Sequence, residues 1–148
     1  NLRKGKKMSN SVLSATKILR GVLLGDATVS AMVRQDVGGE VIYKIFPLQA
    51  PADTEGDFIL YCRSGYEVND MNMMMSVRER STVTLNVVTS QYDAGLTVVE
   101  AIRAALIEHK TSPRLNIRIV DAKEDITGWP DGAATKYVQI LVVEIRDI

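Results

Sequence analysis

The chain holds one cysteine, one histidine, one tryptophan and two phenylalanines among its 148 residues, and each scarcity closes off a class of function. A lone cysteine, Cys62, cannot form an internal disulfide or a multi-cysteine zinc site; it fits a reducing compartment and reads as a small apolar strand residue. The lone histidine, His109, has no second histidine to pair with on a metal and falls in the last turn of an expected helix, where positive charge suits the C-terminal dipole. Aromatic residues make up 5%, too few for the stacking platforms on which single-stranded nucleic acids are read. Neither sign of charge prevails: 18 basic residues meet 18 acidic ones, so no global field draws in nucleic acid or an anionic membrane. Long hydrophobic runs are missing too, since stretches such as Ile140 to Val143 fall far short of the roughly 18 residues a membrane span needs.

Catalytic signatures are equally sparse. There is no Gly-x-Ser-x-Gly elbow, no phosphate loop ending in Gly-Lys-Ser/Thr, and no Gly-x-Gly-x-x-Gly after a strand. Glu124, Asp125 and Asp131 are acidic neighbours in a turn, with the spacing of a solvated loop rather than of a cation-binding one. No nucleophile and base can be nominated, no cofactor is implied, and the reading is of a protein that is not an enzyme.

What the sequence does have is the composition of a folded domain, 46% hydrophobic and 24% charged. Val12, Ala15, Leu19, Val22 and Leu23 recur at helical spacing, with Gly25 placed to end that helix in the left-handed conformation. Asp26 is positioned to cap a short second helix carrying Val29, Met32 and Val33. Val37 to Glu40, "VGGE", reads as a turn, and Val41 to Pro47 as one short strand that proline stops. Phe58 to Arg63 alternates as a strand; Val77 to Thr89 does so again, with Val83, Leu85 and Val87 on one face. Ser90 to Asp93, "SQYD", fits a capping box that opens a helix with Leu96, Val99, Ile102 and Leu106 on its apolar face. Leu115, Ile117 and Ile119 alternate in a further strand. The last strand, "TKYVQILVVEI", is apolar on both faces, so it lies centrally beneath cover or presents one face to another subunit. The expected fold class is α+β: a single domain over residues 9–148, with a mostly antiparallel sheet of about five strands packed with two or three helices. Residues 1–8, "NLRKGKK" and Met8, are basic and unlike the rest, and are expected to be a leader ahead of a start at Met8, with a nucleic-acid-touching arm as the alternative.

Between the two alternating strands lies "SGYEVNDMNMMMS", into which four of the six methionines are crowded. Methionine fills irregular core gaps and also covers adaptable contact surfaces. Three in a row cannot all face one core from an extended strand, because neighbours point to opposite sides. The segment is therefore expected at the tip of a hairpin, meeting solvent or a partner. Arg78, Glu79 and Arg80 follow, either as a solvated strand start or as ion-pairing groups for a neighbouring subunit.

Three stretches in order carry a family resemblance: "VIYKIFPLQAPADTEGDFILYC", "VTLNVVTSQYDAGLTVVEAIRAAL" and "KYVQILVVEI". A strand closing in Tyr43 to Pro47 precedes one of the form Asp57-Phe58-Ile59-Leu60-Tyr61. A strand then enters a helix through Tyr92-Asp93-Ala94-Gly95 and continues into Ala101 to Leu106. In this the chain resembles the tail terminator, or tail-completion, proteins of long-tailed bacteriophages, with Asp57 standing where proline is frequent. The resemblance implies a virion structural subunit, assembled in the host cytoplasm into a ring, usually of six, at the neck or tail top. Its partners would be copies of itself, the tail tube protein and the head connector, with DNA passing through the lumen and no membrane. It also implies subunit or ring contacts in the Ser64 to Arg80 region, at Tyr66, Met71, Met73, Met74, Met75, Arg78, Glu79 and Arg80. The alternatives are another neck or head-completion adaptor, or a small ligand-binding or enzymatic domain.

Overall fold

The computed structural model of the chain describes residues 12–52, 54–70, 77–108, 115–125 and 136–147. A single 3₁₀ turn, Val12–Ser14, leads into helix α1, Ala15–Gly25, whose stripe of Ala15, Leu19, Val22 and Leu23 is buried as its spacing requires. Gly25 stays inside this helix and is not left-handed; the chain leaves the helix at Asp26, which is extended (φ −91°, ψ 118°). The Asp26 carboxylate accepts from the N–H groups of Thr28 and Val29, each at 3.0 Å, and so caps α2, Ala27–Met32.

Strands β1, Arg34–Val37, and β2, Glu40–Tyr43, form a separate two-stranded antiparallel hairpin. Gly38 and Gly39 turn it with φ of 58° and 89°, the pair of positive values that a two-residue hairpin turn demands. The single strand expected from Val41 to Pro47 is thus broken at Lys44, whose N–H bonds to the Val33 carbonyl at 2.9 Å, and resumes as β3, Ile45–Pro47. β4 spans Phe58–Asp70 and β5 Val77–Thr89; α3 is Tyr92–Glu108; β6 is Leu115–Glu124 and β7 Tyr137–Asp147.

The main sheet has the order β3-β4-β5-β7-β6, antiparallel throughout except that β3 runs parallel to β4. This is the expected α+β architecture, with two strands more than sequence periodicity revealed. Val83, Leu85 and Val87 of β5 and Leu141, Val143 and Ile145 of β7 are fully buried beneath α1 and α3. β7 takes an interior place, between β5 and β6, rather than an edge. On the sheet's other face Val138 joins Phe58 and Val88 in a smaller cluster, covered in part by Phe46, Ala50 and Leu60.

Two sequence expectations are corrected by this packing. Helix α3 begins one residue later than a Ser90 cap would set it, since its first bond runs from the Gly95 N–H to the Gln91 carbonyl at 3.3 Å. Its buried face is Gly95, Val98, Ile102, Ala105 and Leu106, while Leu96 is exposed. Gly95 explains the shift: a Cβ there would lie 3.1 Å from Thr89 Oγ1, so the missing side chain lets the helix start sit close against the sheet. The segment read as an interruption from Ser64 to Asp70 is instead the second half of β4, bulged between Arg63 and Gly65 and paired as far as Asp70↔Val77.

Candidate assembly surfaces

The β4–β5 pair forms the long hairpin expected between the alternating strands. Its proposed tip residues Met71, Met73, Met74 and Met75 lie outside the described residues. Arg78 is placed in the ladder opposite Asn69, and its side chain is outside the described set. By register Tyr66 and Val68 share the helix-facing side with Ser81 and Val83, yet both are exposed. Glu79 is the ladder partner of Val68 and is half-buried.

Arg80 points to the opposite face and is engaged within the chain. It pairs with Glu67 on β4 and, at 3.1 Å, with Glu144 on β7; Arg118 on β6 reaches the same carboxylate at 3.0 Å. Arg146 stands 4.0 Å from it. Charges of alternating sign thus run across four strands around a carboxylate that is nearly buried. Burial alone would push the Glu144 carboxyl up, but hydrogen bonds from Arg118 and Arg80, and their charges, bring it below the ordinary carboxylate range.

A different region carries a cluster of exposed apolar side chains, and the sequence reading passed over it. On the β1–β2 hairpin Val37, Val41, Ile42 and Tyr43 are 37–47% exposed. Val41 and Tyr43 lie on one face and Ile42 on the other, so each face keeps an exposed apolar side chain. The signal was present in the sequence as a Gly-Gly pair between two strand-compatible runs. Beside the hairpin a cleft of about 820 Å³ opens between α1, the hairpin and β3, lined by Lys17, Arg20, Leu24, Tyr43, Phe46 and Tyr61. Arg20 is tied down there by donating from Nε to the Ile45 carbonyl at 3.2 Å.

The loop behind that cleft is pinned by Lys44, which is buried and donates from Nζ to the Glu55 carbonyl at 2.6 Å. Burial pulls its ammonium below the ordinary lysine value; the charge of Asp57 opposes this, Lys136 reinforces it and Glu55 opposes it again. Gly56, at φ 75°, leaves room for this ammonium, since a Cβ would come within 2.8 Å of Nζ. Asp57 accepts from the Ser90 N–H at 3.2 Å and so ties the loop to the entry of α3.

A second cleft, of about 450 Å³, lies at the far edge of the sheet between α3 and β6. Val99, Leu106, Ile107, Ile117 and Ile119 line it, with Glu100, Arg103 and Arg118 at its rim. Ile107 is 63% exposed. Near the same edge Tyr92 donates to Glu124 at 2.5 Å, and Gln139 donates to it at 3.1 Å. These bonds hold the Glu124 carboxyl below its ordinary value and raise the Tyr92 hydroxyl.

Among the described residues no group of three or more His, Cys, Asp or Glu side chains is placed to hold a metal ion, and no helix is long and apolar enough to cross a membrane. The chemistry on display is that of surfaces, apolar in two places and salt-laced in a third.

No protein-family model matches this chain, and no curated protein matches it. Its fold does have counterparts among solved structures. One is a chain in the virion of a native gene transfer agent particle, similar with a TM-score of 0.60 and 17% sequence identity over 87% of this chain and 90% of that one. At that identity the likeness is one of fold.

Proposed function

We propose that this chain is a structural subunit of a phage-like virion, and that it acts as a tail terminator: a ring that caps the tail tube, stops its elongation and offers a docking surface to the head connector. The observation that carries this reading is the fold it shares, over most of both chains, with a component of an assembled virion. The motifs of the resemblance support it, because the residues that carry them have structural work to do in the described fold. Gly95 permits the close approach of α3, and the strand ending in Pro47 sits at the sheet edge, where a residue without an N–H is tolerated. Uncovered apolar side chains on a hairpin are also what an assembly protein keeps for its partners.

In this reading the ring contacts extend over the outer end of the β4–β5 hairpin. Tyr66, Met71, Met73, Met74, Met75, Arg78 and Glu79 would face a neighbouring subunit or ring, and Arg80 would hold that end in shape through Glu67 and Glu144. Replacing Met73, Met74 and Met75 together by serine is expected to leave the subunit's melting temperature unchanged and to abolish ring or tail assembly. A sharp fall in stability instead would make them core residues, at about 2 kcal/mol or more each.

The function is tested by mixing the purified chain with tail tube protein and imaging by negative stain. Capped tubes of bounded length support the terminator. Tubes that elongate as they do without it refute that role, and a label on the head side of the neck in whole particles reassigns the chain to a neck adaptor.

A further inference from the structure

We propose that the cleft between α1, the β1–β2 hairpin and β3 is a docking groove for an acidic segment of a partner protein, a short stretch of chain in which a carboxylate stands beside an apolar side chain. The proposal goes beyond the terminator reading and does not depend on it.

The helical wall of this cleft is a single stripe of α1. Lys17, Arg20, Gly21 and Leu24 follow one another at i, i+3, i+4 and i+7, opposite the buried stripe of that helix, and all four line the cavity of about 820 Å³. Two of the four are cations, and no acidic residue lines the cleft.

These two charges are unanswered within the chain. Arg34, Arg80, Arg103, Arg118 and Arg146 each have a carboxylate of this chain within 4.0 Å. Among the described residues, Arg20 and Lys17 have none. Arg20 uses Nε on the Ile45 carbonyl at 3.2 Å, which fixes the guanidinium at the cleft wall and leaves its two terminal nitrogens for an outside acceptor. A planar guanidinium with terminal donors to give is matched by a carboxylate.

Gly21 supplies the second, independent observation. Glycine weakens a helix interior relative to alanine, yet nothing in the backbone asks for it here: its φ is not positive, and a Cβ would meet no atom within 4 Å. Its bare Cα leaves open floor between the two cations and Leu24, in a cleft that Tyr43, Phe46 and Tyr61 also line. That is room for an apolar side chain next to the carboxylate. The segment binds through its side chains, because β3 has little backbone left for an added strand. The Ile45 carbonyl is taken by Arg20, Pro47 has no N–H to give, and the Pro47 carbonyl accepts from the Gln49 N–H at 2.7 Å.

The test uses the full chain and a bead-bound library of short peptides randomised over Asp, Leu, Phe, Lys, Ser and Gly; retained peptides are remade with fluorescein and titrated by anisotropy. Retained sequences are expected to place Asp beside Leu or Phe, and exchanging that Asp for Asn to weaken binding about tenfold. Lys17→Glu, a change at an exposed position, is expected to weaken it by about tenfold or more. Gly21→Leu should abolish binding while the melting temperature holds or rises, since leucine fills the floor and favours the helix, and this separates blockage from misfolding. No retained peptide, retained peptides without Asp, or unchanged affinity in G21L each overturns the proposal. Binding of labelled chain to unlabelled chain that G21L abolishes also overturns it, by making the occupant a second copy. No tail tube enters the assay, so its failure is distinguishable from failure of the terminator reading.

Discussion

Two strands of nearly identical chemistry meet opposite fates in this molecule. Val83, Leu85 and Val87 on β5 are at most 1% exposed, whereas Val41, Ile42 and Tyr43 on β2 are 37–43% exposed. Both runs are apolar and mostly β-branched, both suit a pleated strand, and composition alone cannot tell them apart. The difference lies in their neighbours: β5 has β4 on one side, β7 on the other and two helices above, while β2 has only β1. A hydrophobic strand with a single partner is a surface awaiting its cover.

The sharpest way to break this comparison is truncation at matched sites. Leu85→Ala is expected to cost about 2–5 kcal/mol by urea or thermal unfolding, since it empties a fully buried site. Val41→Ala should stay within about 0.5 kcal/mol for the isolated subunit. Equal losses would mean that the hairpin belongs to the core. An intermediate effect is expected at Glu144, which joins β7 to β5 and β6 through Arg80 and Arg118. Glu144→Gln should cost about 1–2 kcal/mol near neutral pH, allowing for solvent screening of the partly exposed arginines. Because folding depresses the Glu144 carboxyl, the unfolded chain binds its proton first as pH falls. Its stabilisation is complete above about pH 4.3, the ordinary glutamate value, and is lost as the pH drops through the lower folded value. The variant's stability should therefore fall less steeply with acid over that window, as followed by chemical denaturation at stepped pH. The smallest effect on folding belongs to the hairpin turn. Gly39→Val places a branched side chain at φ 89° and is expected to unmake β1–β2, seen as faster amide exchange from Arg34 to Tyr43, with little change in melting temperature.

The parts of this fold that were legible in the sequence are those where burial is one-sided and regular. The α1 stripe, the Asp26 cap and the alternation of β5 were readable because each is a local pattern imposed by a single buried face. The Ser64 to Val68 stretch of β4 was not, because it is exposed or half-exposed at every position, so it has no alternation to read. The register of α3 was hidden by small residues: Gly95 and Ala105 are buried because the sheet comes close, and a count of large apolar side chains favours Leu96, which is exposed. The setting of Glu144 could not be seen at all, since its arginines come from two other strands. Of the candidate contacts, the sequence pointed to the β4–β5 hairpin through its methionines, and it missed β1–β2 because Val41 to Pro47 reads as a single strand until Lys44 is seen to break it.

The position of β7 has a consequence for how a subunit is made. β4 with β5, and β6 with β7, are hairpins that can form locally; the ladder from Arg80↔Arg146 to Thr89↔Tyr137 joins strands separated in the chain by α3 and β6. Such distant pairing is the slow step of a fold. Until it closes, β5 shows an unpaired, hydrophobic edge to every nascent copy nearby, so crowding during synthesis favours exchange of β7 between chains. The same strand that completes the monomer is thus its point of greatest hazard.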